Sequence, residues 1–368
     1  MATVISMIPY PFLPARNGGQ KAIALFSQYF SQHVHFIGIT VENNENRQAG
    51  YKTIPLFSAS RLRYINPLYI PQICKIIRKE KATHLMLEHP YLGWMAILIK
   101  WLTGITLIIH SHNIEALRFK TTGKWWWKIL WYYERLIHRK ADINFFITAA
   151  DREYAINKYG IDDQKSLVVT FGIEWDHPPS TEDKKAAAMT VRQHHGIPPE
   201  DCLLLFAGAL KYLPNFEAYK IIRDEICPAL NAIDFKYKML ICGSGLENES
   251  PSDPNIILTG FVDDIHLYFK AADVFVNPVR DGGGIKTKVV EALGNNLSVV
   301  SSINGSIGID KQLYREKLTI VEEDDWTVFA GHVKKACRKH SEIPKEFFFN
   351  FHWKHITAKA AKFIIKNA

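Results

Sequence analysis

The stretch Arg280–Asn296, RDGGGIKTKVVEALGNN, places three consecutive glycines, Gly282–Gly284, ahead of Lys286, Lys288 and a lone glutamate, Glu291. An apolar run, ADVFVNPV, precedes it and another, LSVVSS, follows, so the glycines fall between a strand and a helix. A helix opening near Gly284 leaves its first backbone N–H groups without intrahelical partners, and the helix dipole adds partial positive charge there. Glycine also lets a bulky oxyanion come close to the backbone. The chemistry is therefore anion binding, with Gly283, Gly284 and Ile285 at the tip and Lys286 in the first turn. Lys288 and Glu291, three apart, share a face one turn further on. A phosphate at the tip leaves Glu291 within reach of adjoining sugar hydroxyls, which a carboxylate accepts well. Arg280, at the end of the preceding strand, adds a forked contact. The competing reading is a tight turn with solvated lysines, but three glycines in a row exceed what a turn requires.

A second pair of glycines, Gly18 and Gly19 in PYPFLPARNGGQK, opens a helix after the first strand. The spacing is not GxGxxG, which disfavours a nicotinamide site, and there is no GxxxxGK[ST] phosphate loop. In IIHSHNIEALRF, His110 and His112 stand just past a strand, followed by Asn113 and Glu115. A metal there needs a third ligand, and spacing alone points to none. ICGSGLE sets Gly243 after another strand, where a glycine admits a ligand to the backbone. GKWWWKILWYYERLIHRK, residues 123–140, carries four tryptophans flanked by basic residues. It reads either as an interfacial helix on anionic lipid or as a core helix.

The elements that must hold these residues alternate strand and helix along the chain. Strands are expected at 2–7, 34–41, 85–87, 106–109, 143–147 and 167–169, and a helix at 19–31. At DHPPSTEDKK, residues 176–185, two prolines and mixed charge read as a linker. Alternation then restarts, with strands at 202–206, 237–241, 256–258, 274–277, 297–301 and 318–321. The tail beyond Pro344 reads as one last helix. Two doubly wound, Rossmann-like α/β domains facing a cleft are the expected architecture: residues 1–175, residues 176–343, and a helix over 344–368 packing back on the first.

Composition bounds the function classes. The chain has 368 residues, 47% hydrophobic and 22% charged, as in an ordinary globular protein. YLGWMAILIKWLTGITLIIH is interrupted by Lys100 and a Thr-Gly break and reads as helix then strand, not as a membrane span. No signal peptide is expected at the amino terminus. Five scattered cysteines suit a reducing cytoplasm and argue against a disulfide framework. The net charge of +8 is uneven: residues 1–180 hold 21 Lys and Arg against 13 Asp and Glu, and the remainder 24 against 24. The excess either keeps the chain soluble or faces an anionic partner, a membrane surface or a phosphate-bearing substrate.

As an ordered set, NGG, HNIE, ADINFFITAADREY, VVTFGIEW, FAGALKYLPNFEA, LICGSGLE, ILTGFVDDI and ADVFVNPVRDGGGIKTKVVEALGNNLSVVSS resembles the family 4 retaining glycosyltransferases of the GT-B fold, over nearly the whole chain. The resemblance implies a UDP- or GDP-sugar donor in the second domain and a saccharide or lipid-linked acceptor in the first. It implies that Glu291 holds the nucleotide ribose, that His112 lines the donor-sugar pocket and that Gly18 and Gly19 approach the pyrophosphate. It further implies that the backbone around Phe261 and Val262 meets the base. Two departures stand out. Gly283 occupies the position of the family's first motif glutamate, and GALKYLPN replaces the stretch that carries the diphosphate-neutralising Arg and Lys. Lys211, Arg280, Lys286 and Lys288 are therefore expected to share that task, with His112, Lys211 and Lys286 as the catalytic set. No DxD metal motif is present, so no metal and no cofactor beyond the donor is expected, and no nucleic-acid partner. The expected setting is cytoplasmic, with attachment to the inner membrane face, in cell-surface polysaccharide or glycolipid synthesis. Two alternatives share the phosphate site: a sugar-nucleotide epimerase of the same shape, and a non-catalytic sugar-nucleotide-binding protein.

Overall fold

The computed structural model describes residues 2–15, 17–247, 249–312, 314, 316–322, 325–339 and 341–367. They form two compact units, Met1–Gly172 with His352–Ala368 (unit 1) and Ile173–Phe351 (unit 2).

In unit 1 the strands are β1 (Thr3–Met7), β2 (His35–Val41), β3 (Lys52–Phe57), β4 (His84–Glu88), β5 (Thr106–Ser111), β6 (Ile143–Phe146) and β7 (Ser166–Val168). They pair in parallel in the order β3-β2-β1-β4-β5-β6-β7. Ile5 lies opposite Ile37 on one side and Leu85 on the other. Helices cover both faces, so β4 reads as a run of buried residues without alternation. β3 was not among the expected strands, and Pro55 lies within it. The sheet tolerates that proline because β3 is an edge strand, where Thr40 faces it across the ladder.

Unit 2 repeats the pattern with β8 (Cys202–Ala207), β9 (Tyr237–Cys242), β10 (Ile256–Gly260), β11 (Val274–Asn277), β12 (Ser298–Ser302) and β13 (Leu318–Val321), in the order β10-β9-β8-β11-β12-β13. In each sheet the strand order reverses beside the first strand, between β1 and β4 and between β8 and β11. A crevice outside the carboxyl ends at such a point is where open parallel sheets bind ligands.

Three local expectations are corrected. The proposed linker becomes helix from Thr181, because Ser180 and Asp183 form a reciprocal capping box. The last stretch is two helices, Lys345–Phe351 in unit 2 and Trp353–Lys366 in unit 1. His352 between them is extended, and its ring nitrogen accepts from the Lys354 N–H at 3.1 Å to start the second. The second helix buries Trp353 against Phe171, ring centres 5.6 Å apart, and packs on the helix Gly18–Phe30. Finally, Cys202 and Cys337 are joined by a disulfide. They lie 135 residues apart, and only the packing of the helix Trp326–Cys337 near the start of β8 brings their Cα atoms to 6.3 Å.

The apolar run of residues 91–110 divides as expected into the helix Gly93–Thr103, a left-handed Gly104 and β5. Among the described residues no helix is long and apolar enough to cross a membrane. Gly93 opens that helix against the fully buried Ile137, where an added Cβ would lie 2.5–2.6 Å from Cδ1, Cγ1 and Cγ2. Gly93→Ala is expected to destabilise by about 1–3 kcal/mol through overpacking. Thermal melts of Gly93→Ala, Ile137→Ala and the double variant check this. The double variant should be more stable than the two separate losses added together imply.

Candidate active site

In unit 2 the glycine loop departs from the simple helix tip in an informative way. Gly282 and Gly284 take φ values of 95° and 68°, left-handed conformations that a helix cannot continue. The helix therefore starts at Thr287, with Lys286 as its N-cap residue, and not near Gly284. Lys286 does not extend outward. Its Nζ donates to the Gly282 carbonyl at 2.6 Å and the Gly284 carbonyl at 3.4 Å, so the lysine clasps its own loop. Lys288 and Glu291 do share a face: Nζ and Oε2 are 2.6 Å apart, with the glutamate side chain 1% exposed. The far end of this helix is held by three donors. Trp175 Nε1 reaches the Gly294 carbonyl at 2.9 Å, Lys184 Nζ that of Asn295 at 3.2 Å, and Lys317 Nζ that of Asn296 at 2.9 Å. Cations at a helix carboxyl end complement its dipole. Burial pushes the Lys184 ammonium down, and that of Lys317 down to about 8.

The other predicted residues of unit 2 follow the carboxyl ends of neighbouring strands. Arg280 is exposed and lies three residues beyond β11, not at its end. Gly283 is exposed and Ile285 half-buried. Phe261 is exposed and Val262 half-buried just past β10. Lys211 is exposed in the loop after β8. Gly243 is required for backbone packing: a side chain there would run into the Gly208 carbonyl oxygen, and one on Gly245 would come within 2.9 Å of the Lys211 N. These glycines let the loops after β8 and β9 lie together, bonded from the Leu210 N–H to the Ser244 carbonyl at 2.9 Å. Tyr212, not singled out from sequence, belongs here. Its hydroxyl would lie 3.1 Å from a Cβ on Gly282, which joins the β8 loop to the glycine loop.

Unit 1 carries a second cluster, outside β1, β4 and β5. Gly18 opens its helix as expected, and the Asn17 side chain caps it by accepting from the Gln20 N–H at 3.0 Å. His112 Nε2 is 2.7 Å from Glu88 Oε2, and His110 Nδ1 is 3.1 Å from the same oxygen. The spacing of the two histidines gave no third partner. Glu88 supplies it from the neighbouring strand, where it lies directly opposite His110. His89 stacks on His112 with ring centres 4.5 Å apart, and its Nδ1 is 3.4 Å from Glu115 Oε1. Glu115 also accepts from the Tyr91 hydroxyl at 2.6 Å and from the Arg118 guanidinium. Glu134 accepts the backbone N–H groups of Glu115 and Ala116 at 2.9 and 2.8 Å.

Burial alone would raise the carboxyls of Glu88 and Glu115. For Glu88 the facing His110 and His112 outweigh it and hold the group well below the usual carboxylate range. For Glu115, His89, Arg118 and Tyr91 bring it down to about 2. Burial lowers His89 and His110, against the pull of the nearby glutamates. Two groups of side chains hold metal-ligating atoms within 4.8 Å of one another among the described residues: Glu88 with His110 and His112, and Cys202 with Asp273 and Cys337. In the first, the separations are those of hydrogen bonds. In the second, both sulfurs are taken by the disulfide.

Residues 16–176 match the family model described as Glycosyltransferase Family 4, and residues 201–339 match Glycosyl transferases group 1. The chain belongs to the glycosyltransferases. A curated relative, an uncharacterized 44.6 kDa protein in the cps region of Klebsiella pneumoniae, is 22% identical, with 93% of this chain and 92% of that protein covered. Among solved structures, a glycosyltransferase from Rickettsia africae is 14% identical with a TM-score of 0.74, covering 100% of this chain and 99% of that one. HepE of Anabaena in complex with UDP and glucose is 12% identical with a TM-score of 0.73, covering 99% and 100%. WaaG, a glycosyltransferase involved in lipopolysaccharide biosynthesis, is 14% identical with a TM-score of 0.65, covering 98% and 99%. At these identities the structural likeness establishes the GT-B fold.

Sequence reasoning on this glycosyltransferase missed Glu88, His89, Tyr91, Arg118 and Tyr212. EHPY directly after an apolar strand was a usable signal for three of them, since polar residues at a strand's carboxyl end of a parallel sheet face the ligand side. Glu134 gives the cluster a pH signature. Burial, its largest influence, pushes its carboxyl up to about 7, against the lowering effect of the two backbone N–H groups. A folded-state value above the unfolded one near 4.5 means that its contribution is full below pH 4.5 and is lost as pH rises through 7. The melting temperature of the wild type relative to Glu134→Gln should fall as pH rises from 4.5 to 7. A constant difference across that range contradicts the assignment.

Proposed function

We propose that this glycosyltransferase moves a hexose-type sugar from a UDP- or GDP-sugar to a hydroxyl of a saccharide or lipid-linked acceptor, with retention at the anomeric carbon. The observation that carries the reading is the glycine loop of unit 2, followed by one helix on which Lys288 and a buried Glu291 form an ion pair. Glu291 takes the ribose hydroxyls, Gly283, Gly284 and Ile285 border the diphosphate, and Phe261 and Val262 meet the base. In unit 1, Gly18 and Gly19 at the head of their helix are the residues for a phosphate contact and His112 beside Glu88 for a sugar contact. Since Lys286 binds carbonyls of its own loop, its first task is to keep that loop in shape.

In the reaction the acceptor oxygen bonds to the anomeric carbon on the face from which the nucleoside diphosphate leaves. The bond from that carbon to the phosphate oxygen breaks, and the departing phosphate takes the acceptor's proton. Stabilising the growing charge on the diphosphate is the main catalytic demand. Lys211, Arg280, Lys286 and Lys288 meet it without a metal ion. HepE bound to UDP and glucose supports a UDP-sugar donor, and the names of WaaG in lipopolysaccharide biosynthesis and of the Klebsiella protein in a cps region support a role in cell-surface polysaccharide or glycolipid synthesis.

Glu291→Ala is expected to weaken UDP or GDP binding by about 1.5–3 kcal/mol, the worth of a hydrogen bond to a charged group. Calorimetry with both nucleotides measures it, and unchanged affinity refutes the ribose role. Nucleoside diphosphate release from a panel of UDP- and GDP-hexoses, with and without acceptor and in EDTA, tests the reaction. Loss of activity in EDTA with recovery in magnesium or manganese refutes metal independence. Release of free sugar alone favours an epimerase.

We infer further that unit 1 rests on an anionic membrane face. It holds 25 Lys and Arg against 11 Asp and Glu, a net of +14, whereas unit 2 holds 20 against 26, a net of −6. The helix Trp127–Lys140 turns Ile129, Tyr132 and Leu136 outward at helical spacing, and Trp125 just before it is 82% exposed. The neighbouring helix Gly93–Thr103 exposes Leu98, Trp101 and Leu102. Arg135, Arg139 and Lys140 line a depression of about 430 Å³ with Tyr132 and Leu136. Each basic residue near an anionic surface contributes about 1 kcal/mol. Co-sedimentation with phosphatidylglycerol vesicles should show binding that fades with salt, and fades further in Lys124→Glu/Lys128→Glu and in Trp125→Ser/Ile129→Ser. No binding at low salt removes the membrane from the account.

A further inference from the structure

Four non-glycine residues have positive φ among the described residues: Lys81, His89, Asp234 and Asn296. Lys81, with φ 50° and ψ 44°, ends a helix in the ordinary left-handed conformation. His89 is different. Its φ of 66° and ψ of 156° lie in a region that glycine alone adopts without strain. The strain is held in place from several sides. Pro90 follows and disfavours a helical ψ at His89. The His89 N–H donates to the His110 carbonyl at 3.0 Å. The ring is packed between His112 and Tyr91, with centres 4.5 and 5.6 Å away.

This conformation serves no turn that a glycine would not make better. What it achieves is to aim an imidazole outside the carboxyl end of β4, beside the point where the strand order of unit 1 reverses. Nδ1 faces Glu115 Oε1 at 3.4 Å, and Glu115 is fixed in turn by Tyr91 and Arg118. Nδ1 is buried and this contact falls short of hydrogen-bond geometry, whereas Nε2 is neither sealed in the interior nor hydrogen-bonded among the described residues. The negative charge of Glu115 beside Nδ1 favours the proton on that nitrogen, which leaves Nε2 as an acceptor. His110 provides the contrast, because its second nitrogen is sealed in the interior.

We propose that His89 is the acceptor-contacting residue of this enzyme: Nε2 accepts a hydrogen bond from the acceptor's attacking hydroxyl, while His112 and Tyr91 hold the ring by stacking and the charge of Glu115 keeps the proton on Nδ1. The contact sets the position of the hydroxyl beside His112, and the proton still leaves with the departing phosphate. The inference rests on the proposed transfer reaction. It gives unit 1 a named residue for the acceptor, as unit 2 has Glu291 for the nucleotide.

The decisive variant is His89→Gly, which removes the ring and relieves the backbone. With UDP- and GDP-hexoses as donors and n-octyl β-glucoside as surrogate acceptor, the acceptor KM should rise by about tenfold or more while the donor KM changes by less than about twofold. The melting temperature should stay within about 2 °C of the wild type or exceed it. His89→Asn, which keeps a hydrogen-bonding side chain, should recover part of the transfer. A fall of more than about 5 °C marks the ring as packing and overturns the proposal. So does an unchanged acceptor KM, or equal loss of donor and acceptor affinity. A wild type that releases no nucleoside diphosphate from any donor refutes the transfer reaction itself, and the melting comparison then decides the strain argument alone.

Discussion

A carboxylate taken out of water must be met by cations or hydrogen-bond donors, because burial otherwise forces it to give up its charge. Glu88, Glu115, Glu134 and Glu291 are each at most 1% exposed. The way each is met shapes the protein around it. Glu88 is met by two imidazoles, which ties the carboxyl end of β5 to that of β4. Glu115 is met by His89, Tyr91 and Arg118, which ties the segment after β4 to the helix Glu115–Thr121. Glu134 is met by the first N–H groups of that same helix and by the Tyr159 hydroxyl at 3.1 Å. Removing Arg118 from Glu115, or either imidazole from Glu88, leaves a buried charge short of compensation.

Glu291 follows the same rule in the other half of the chain, with a different consequence. Its partner, Lys288, is a third exposed and three residues away on one helix, so the pair is local and reachable by a ligand. The carboxyl end of that helix is anchored by Trp175, Lys184 and Lys317. The result is a short rigid element presenting one charged pair, with a loop of glycines at its amino end held by Lys286.

Charge is divided between the units far more sharply than along the chain. The final helix adds four lysines to unit 1 and no acidic residue. Unit 2, with a net negative balance, cannot attract a diphosphate by its overall field. It has to rely on cations within a few ångström of the site, since salt screens charges beyond about 8–10 Å. If unit 2 takes the donor as proposed, the position of Lys286 in the glycine loop and of Lys288 on the helix after it, and not the number of cations in the unit, decides anion binding there.

Much of this was legible in the sequence, because the governing forces were local. Alternating apolar strands and amphipathic helices specified two parallel α/β sheets, and the order of motifs specified the family. Gly18 opens its helix, and Lys288 pairs with Glu291, because both depend only on neighbours within a turn. Tertiary structure decided the rest. Pro55 is compatible with a strand only at the edge of a sheet, and edge position is a property of strand order. Cys202 finds Cys337 across 135 residues. The meeting of Glu88 with His110 and His112, and the strained His89 beside them, depend on which strands lie side by side. Sequence spacing reports what shares one helix or strand, but contacts between strands are set by the register of the sheet, which burial of the whole core determines.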